Sequence, residues 1–228
     1  LIVTGVQTCA LPIFVKCTKS TMPGPIDFEP NTGDNFAICR NITVQNCEFF
    51  SCNGIGGAFN LYTLSFAMLT PPIGVKFNYN YVDSTCAFSA PVNFNLGESI
   101  TDDSPMMGFE VIGNVFKGCS GLTISASAVR GLSIKNNTFE NTTNAILIGK
   151  ITSNTAGFVY DVDFCGNKLH NSGSVTGMLI IGMVKRLNIL DNIFSKPRVS
   201  AYAITFFGDG LVTTSDNVTR SEERRVGK

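Results

Sequence analysis

Tryptophan is absent from this 228-residue chain, histidine occurs once, at His170, and charged residues make up only 15% of it. Lys plus Arg equals Asp plus Glu, 17 against 17. A chain without surplus positive charge offers no electrostatic footprint for nucleic acid or an anionic membrane surface. Nor is there a membrane span: the apolar run MLIIGMV at residues 178–184 is too short and is followed at once by Lys185 and Arg186. No segment of useful length carries a 3.6-residue apolar period, which argues against helices and βαβ units. Gly-rich phosphate loops, nucleophile elbows and metal-binding helix motifs are missing too. The eight cysteines include no CxxC and no Cys/His spacing suited to zinc.

What the chain does have is 44% apolar residues, 18 phenylalanines and frequent Asn, Thr, Ser and Gly. That mixture builds a sizeable core from many short strands joined by turns. Both ends stand apart. Residues 3–13, VTGVQTCALPI, and 220–228, RSEERRVGK, resemble translated sequencing-adaptor DNA. Residues 1–13 and 220–228 are therefore expected to be artefacts, with 14–219 the native part of one domain truncated at both ends. Read as native, the first segment would pass for a signal-peptide core. Setting Cys9 aside leaves seven cysteines, an odd number that points to free thiols packed as small apolar groups.

An internal repeat organises residues 14–219. The template is apolar, any, apolar, any, any, Asn, any, apolar. It fits Ile42, Val44, Cys47, Phe49, with Cys in the Asn place, and then Val75, Phe77, Asn80, Val82. Phe109, Val111, Asn114, Phe116 follow, then Leu132, Ile134, Asn137, Phe139. The last two units are Val162, Phe164, Asn167, Leu169 and Leu187, Ile189, Asn192, Phe194. Successive Asn-column positions are 33, 34, 23, 30 and 25 residues apart, a solenoid spacing. Each unit is followed by a second apolar or small-residue run, at 55–61, 88–96, 122–126, 145–149, 178–182 and 203–208. A seventh unit is expected to begin near Val212.

These features predict a parallel β-helix. Two alternating apolar residues point inward on one strand. The Asn breaks the alternation at a bend, where a left-handed conformation is tolerated and its amide bonds backbone. Stacked coils would align these amides into a ladder and pile phenylalanines on one another. Since no coil can bury its apolar face alone, nearest-neighbour stacking carries stability. Antiparallel hairpins would show tight two-residue turns such as Asn-Gly between equal strands; Asn53-Gly54 is one such site, but the pattern does not recur.

The repeated LSIKNNTFENT and LNILDNIFSK phrases resemble right-handed parallel β-helix proteins of the pectate-lyase-like superfamily. GPIDFEPNTGDN, residues 24–35, resembles a segment of its bacterial members. The resemblance implies an all-β, single-stranded right-handed parallel β-helix of about six to seven coils. It also implies an extracellular or cell-surface protein that binds or cleaves a polysaccharide in a groove on the outer face of a parallel sheet. If the chain is an enzyme, a polysaccharide lyase or glycoside hydrolase is implied; the other reading is a structural or adhesive β-helix, such as a surface adhesin or phage tail-spike stem. The polygalacturonase pattern is not met, because MPGP precedes IDFEP and no GHG or RIK occurs.

Candidate residues follow from the template's outward columns. One runs Thr43, Lys76, Glu110, Ser133, Asp163, Asn188, and another Gln45, Asn78, Ile112, Lys135, Cys165, Leu190. The residue before the first apolar gives Asn41, Gly74, Gly108, Gly131, Asp161 and Arg186. Glu110 and Asp163 would lie two coils apart, roughly 10 Å, near the upper edge of an inverting carboxylate pair. Lys76, Asn78, Lys135 and Arg186 become candidate substrate-binding groups, the cations suited to an anionic sugar. Alternatively, all are ordinary solvated outer-face residues.

Asp27 and Glu29 are the second acidic candidate, sharing one face of a strand because Ile26 and Phe28 alternate with them. They suit acid–base work, or Ca²⁺ with further oxygen ligands; no other cofactor is expected. The plain alternative is a sheet-edge pair closed by Pro30. Asp102 and Asp103 lie in a long insertion, SITDDSPMMG, of the kind that shapes a groove. His170 reads as a surface turn residue. Lacking Trp, the chain would have to stack sugars on Tyr62, Tyr79, Tyr81 or Tyr202.

Overall fold

The computed structural model describes residues 12–18, 24–30, 39–54, 57–63, 70–96, 100–121, 124–149, 158–199, 202–207 and 219–220. All regular structure among them is β. The chain visits three sheets in rotation: the first opens with Ile13–Val15, the second with Ile26–Phe28 and the third with Thr43–Gln45. Each sheet collects seven strands, ending with Ile193–Ser195, Ile204–Phe206 and Thr219–Arg220 respectively. Pairing is parallel in all three sheets. The fold is a parallel β-helix of seven coils. Val212, where a seventh unit is expected to begin, lies outside the described residues; the seventh strand of the third sheet is Thr219–Arg220.

The template maps onto two of the three strands of a coil. Its first half forms the third sheet, where Val44, Phe77, Val111, Ile134, Phe164 and Ile189 are in register and point into the core. Its final apolar residue forms the first sheet, where Phe14 stacks on Phe49 at 4.7 Å and Phe116 on Phe139 at 5.1 Å. The second apolar runs become the second sheet, with Leu61, Phe94, Ile148 and Ile181 buried inward. An inward phenylalanine meets its counterpart in the next coil, so each coil caps the apolar floor of its neighbour.

The amide ladder stands at the bend between the third and first sheets. Asn80 Nδ2 donates to Asn114 Oδ1 at 3.2 Å; Asn114, Asn137 and Asn167 each donate to the next coil's amide at 3.0 Å, ending on Asn192. Each side-chain oxygen also accepts the preceding coil's backbone N–H, beginning with Cys47 N to Asn80 Oδ1 at 2.9 Å. The left-handed residue is not the ladder Asn but the one before it: Asn46, Tyr79, Gly113, Asn136, Gly166 and Asp191 all have φ between 53° and 68°. The chain turns there so that the next side chain can lie inward between coils, fully buried in Asn114, Asn137 and Asn167.

A third column lies at the bend after the first sheet. Cys17, Cys52, Cys86 and Cys119 occupy it in successive coils, and Thr142 and Ser172 continue it. The thiols of Cys52 and Cys86 donate to the Phe14 and Phe49 carbonyls of the preceding coil at 3.3 and 3.2 Å. Ser172 Oγ donates to the Phe139 carbonyl in the same way, at 3.2 Å. The thiols expected to be free are free, and they act as weak donors at turns as well as small apolar groups. Close passage of backbones requires glycine at position 57: a Cβ on Gly57, φ 88°, would stand 1.8 Å from the Ala90 carbonyl oxygen of the next coil.

Candidate functional site

Outward polar residues gather on two faces, and the four candidate carboxylates are divided between them. Glu110 and Asp163 face out of the third sheet with Ser133 between them, two strands apart, as the spacing predicts. Asp27 faces out of the second sheet, and Glu29 follows the same strand. The structure does not bring the two pairs together.

On the third face every candidate is engaged by a neighbouring coil. Lys76 Nζ lies 2.8 Å from Glu110 Oε1, and Asn78 Nδ2 donates to Glu110 Oε2 at 3.0 Å. Asn78 is itself buried, its Oδ1 accepting the Ile112 N–H at 2.9 Å. Lys135 Nζ lies 2.7 Å from Asp163 Oδ2, and Asn188 Nδ2 donates to Asp163 Oδ1 at 2.9 Å. Burial pushes the Glu110 carboxyl up, but Lys76 and Asn78 outweigh it and hold its pKa below the ordinary value. Lys135, seconded by Asn188, holds Asp163 low. A general acid near neutral pH needs a raised pKa, so neither carboxyl is set to donate a proton.

Arg186 is held by Asp161 and Asp102. Arg130 also pairs with Asp161, at 3.0 Å. Hydrogen bonds from Arg186 and then Arg130 keep the Asp161 pKa low, while Asp161 and Asp102 raise that of Arg186. Lys185 and Arg186 reach over the Tyr160 ring at 5.2 and 5.4 Å from its centroid. The insertion expected to shape a groove lies across this face as a strap. Arg130 Nη1 donates to the Asp102 and Ser104 carbonyls, and Met106 crosses the left-handed Gly131, where a Cβ would stand 2.7 Å from Met106 Cε.

The second face is built differently. Asp27, Asn60 and Asn93 are in register in the first three coils. Asn60 Nδ2 donates to Asp27 Oδ1, and Asn93 Nδ2 donates to Asn60 Oδ1 at 2.7 Å. Two residues further along the strands, Tyr62, Asn95 and Ser127 form a parallel row, with Ser127 Oγ donating to Asn95 Oδ1 at 3.1 Å. Asn60 is fully buried between Asp27 and Asn93, and Ser127 is buried too; Asp27, Glu29, Tyr62, Asn93 and Asn95 are half-buried. Farther along, the same outward column turns apolar, at Leu147 and Ile180. Asn60, Asn93, Asn95 and Ser127 were not singled out from the sequence. Their signal was there: IDFE, FNLY and VNFN share polar residues at alternate positions once the second runs are aligned.

The remaining candidates stand apart. His170 Nδ1 lies 3.0 Å from Ser195 Oγ on the outer face of the first sheet. Tyr81 is covered by Lys117 at 6.0 Å and contacts Phe50, while Tyr79 and Tyr202 are well exposed. Among the described residues, no group of three or more His, Cys, Asp or Glu is placed to hold a metal ion, and no helix is long and apolar enough to cross a membrane. No protein-family model, curated protein or solved structure matches the chain.

Proposed function

We propose that the chain is part of a carbohydrate-binding β-helix of the pectate-lyase-like kind, and that it holds a polysaccharide along the outer face of the second sheet. The observation that carries this reading is the paired row of Asp27, Asn60, Asn93 and Tyr62, Asn95, Ser127 over the first four coils. Backed by the buried Asn60 and Ser127, the half-buried Asp27, Glu29, Asn93 and Asn95 and the Tyr62 ring form a surface at strand spacing that both donates and accepts. Sugar hydroxyls need that mixture, and Tyr62 supplies the stacking surface that Trp would otherwise give. An extracellular or cell-surface location goes with this reading.

Binding is put before cleavage because Glu110 and Asp163, the carboxylates two coils apart, are each ion-paired and lie on the other face. Asp27 and Glu29 are the carboxylates at the second face. Affinity electrophoresis through gels containing single polysaccharides tests the proposal. Retardation in at least one gel is expected, and the double variant Asn93→Ala/Tyr62→Ala should weaken it by about tenfold or more. Lys135→Met, on the third face, should leave retardation intact. A chain that none of a broad panel retards is not a carbohydrate binder. Release of reducing or unsaturated ends that disappears in Asp27→Asn would add catalysis to the assignment.

A further inference from the structure

The charge distribution and hydrogen-bond polarity of the second face define the sugar it suits, and this step rests on the binding reading above. We infer that the ligand is a neutral glycan rather than a uronate polymer. In the described part of coils one to four, the outward residues of this face include two carboxylates, Asp27 and Glu29, and no cation. Lys76, Lys135, Arg130 and Arg186 lie on the third sheet, each within ion-pair distance of a carboxylate. A uronate on the second face would therefore meet like charge with no compensating ammonium or guanidinium beside it.

The hydrogen bonds point the same way. Asn93 donates to Asn60, and Asn60 donates to Asp27, so the row's donors run toward a resident carboxylate. A sugar carboxylate accepts only, and Asn60, whose N–H serves Asp27, is fully buried and out of its reach, so no donor there offsets the resident charge. A hydroxyl can donate to Asp27 or Asn95 while accepting from Asn93, and leaves neither side short. Calcium could bridge a uronate to Asp27 and Glu29, but no third acidic ligand joins them among the described residues.

The test compares retardation of the full chain by neutral polymers (galactan, xyloglucan, glucomannan) and by uronates (polygalacturonate, alginate), each with Ca²⁺ and with a chelator. The expected result is binding to at least one neutral polymer about tenfold stronger than to either uronate, with or without Ca²⁺. Asp27→Asn should shift the ratio toward uronates by at least about threefold, since it removes the like charge and keeps the shape. Preference for a uronate, with or without Ca²⁺, overturns this inference while leaving the binding proposal standing. An unchanged ratio in Asp27→Asn also overturns it. Retardation by no polymer removes both.

Discussion

Asp102 and Arg186 are 84 residues apart in the chain, yet their side chains form an ion pair across the face of the third sheet. Asp102 precedes the third strand of that sheet, whereas Arg186 lies in the sixth. A single insertion thus reaches along the stack and ties down coils that touch only their immediate neighbours. Solenoids are held by nearest-neighbour contacts, and a strap of this kind adds longer-range coupling.

Asp102→Asn should release that strap. Its carboxyl pKa is held low chiefly by the hydrogen bond from Arg186, with Lys185 assisting at 3.7 Å. In the variant, limited proteolysis should cut within residues 100–108 faster than in the parent, with the β circular dichroism signal retained. Added salt should accelerate cleavage of the parent more than of the variant, because the contact is exposed and screened. Equal cleavage rates would show that the ion pair does not hold the strap.

The ladder amides should differ in energetic weight along the stack. Asn137 is fully buried; its amide donates to Val111 O and Asn167 Oδ1 and accepts from the N–H and amide of Asn114. Asn137→Ala strands several of these groups and should cost about 3 kcal/mol in urea unfolding. Asn192, half-buried at the end of the ladder, should cost about 1 kcal/mol when replaced by Ala. Equal losses at the two positions would mean that the ladder contributes through turn shape rather than through buried hydrogen bonds.

Acid should loosen the third face. Folding depresses the carboxyl pKa values of Glu110, Asp161 and Asp163. Their ionised forms therefore add stability above the unfolded values, about 3.9 for Asp and 4.3 for Glu, and that contribution is lost as pH falls through the lower folded values. The thermal midpoint should be nearly flat from about pH 7 to 5 and fall below about pH 4. Lys135→Met, which frees Asp163, should make the acid decline shallower. A midpoint that rises on acidification would contradict these pairings.

Two thiols of the column, Cys86 and Cys119, should be chemically silent in the folded chain. Burial raises the Cys86 thiol to about 11 and the Cys119 thiol to about 12. Thiolate is the reactive form, so neither should be alkylated at pH 8 until the chain unfolds. Mass mapping after iodoacetamide treatment, with and without denaturant, reads this directly. Rapid native labelling of Cys119 would place it outside the core.

The coil and its amide ladder were legible because they are periodic. Template positions such as Val111, Asn114 and Phe116 recur at every coil, and stacking turns recurrence in the chain into adjacency in space. The left-handed turn was misplaced by one residue: composition points to Asn, whereas the inward orientation demanded of Asn114 moves the turn to Gly113. The cysteine column escaped notice because its positions change chemistry along the stack, from Cys119 to Thr142 to Ser172, while serving one backbone geometry.

Residue pattern alone settled which side chains turn inward, since alternation on a strand leaves no other way to bury Phe77, Phe164 and their counterparts. It also placed Glu110 and Asp163 two coils apart. Only the folded chain decided which outward columns share a face, because that depends on how many residues each bend consumes. By that criterion Asp27 parted from Glu110 and joined Asn60 and Asn93. The path of the strap, too, was a tertiary choice: nothing local links Asp102 to Arg186, and their contact exists because parallel stacking brings distant coils within reach of one loop.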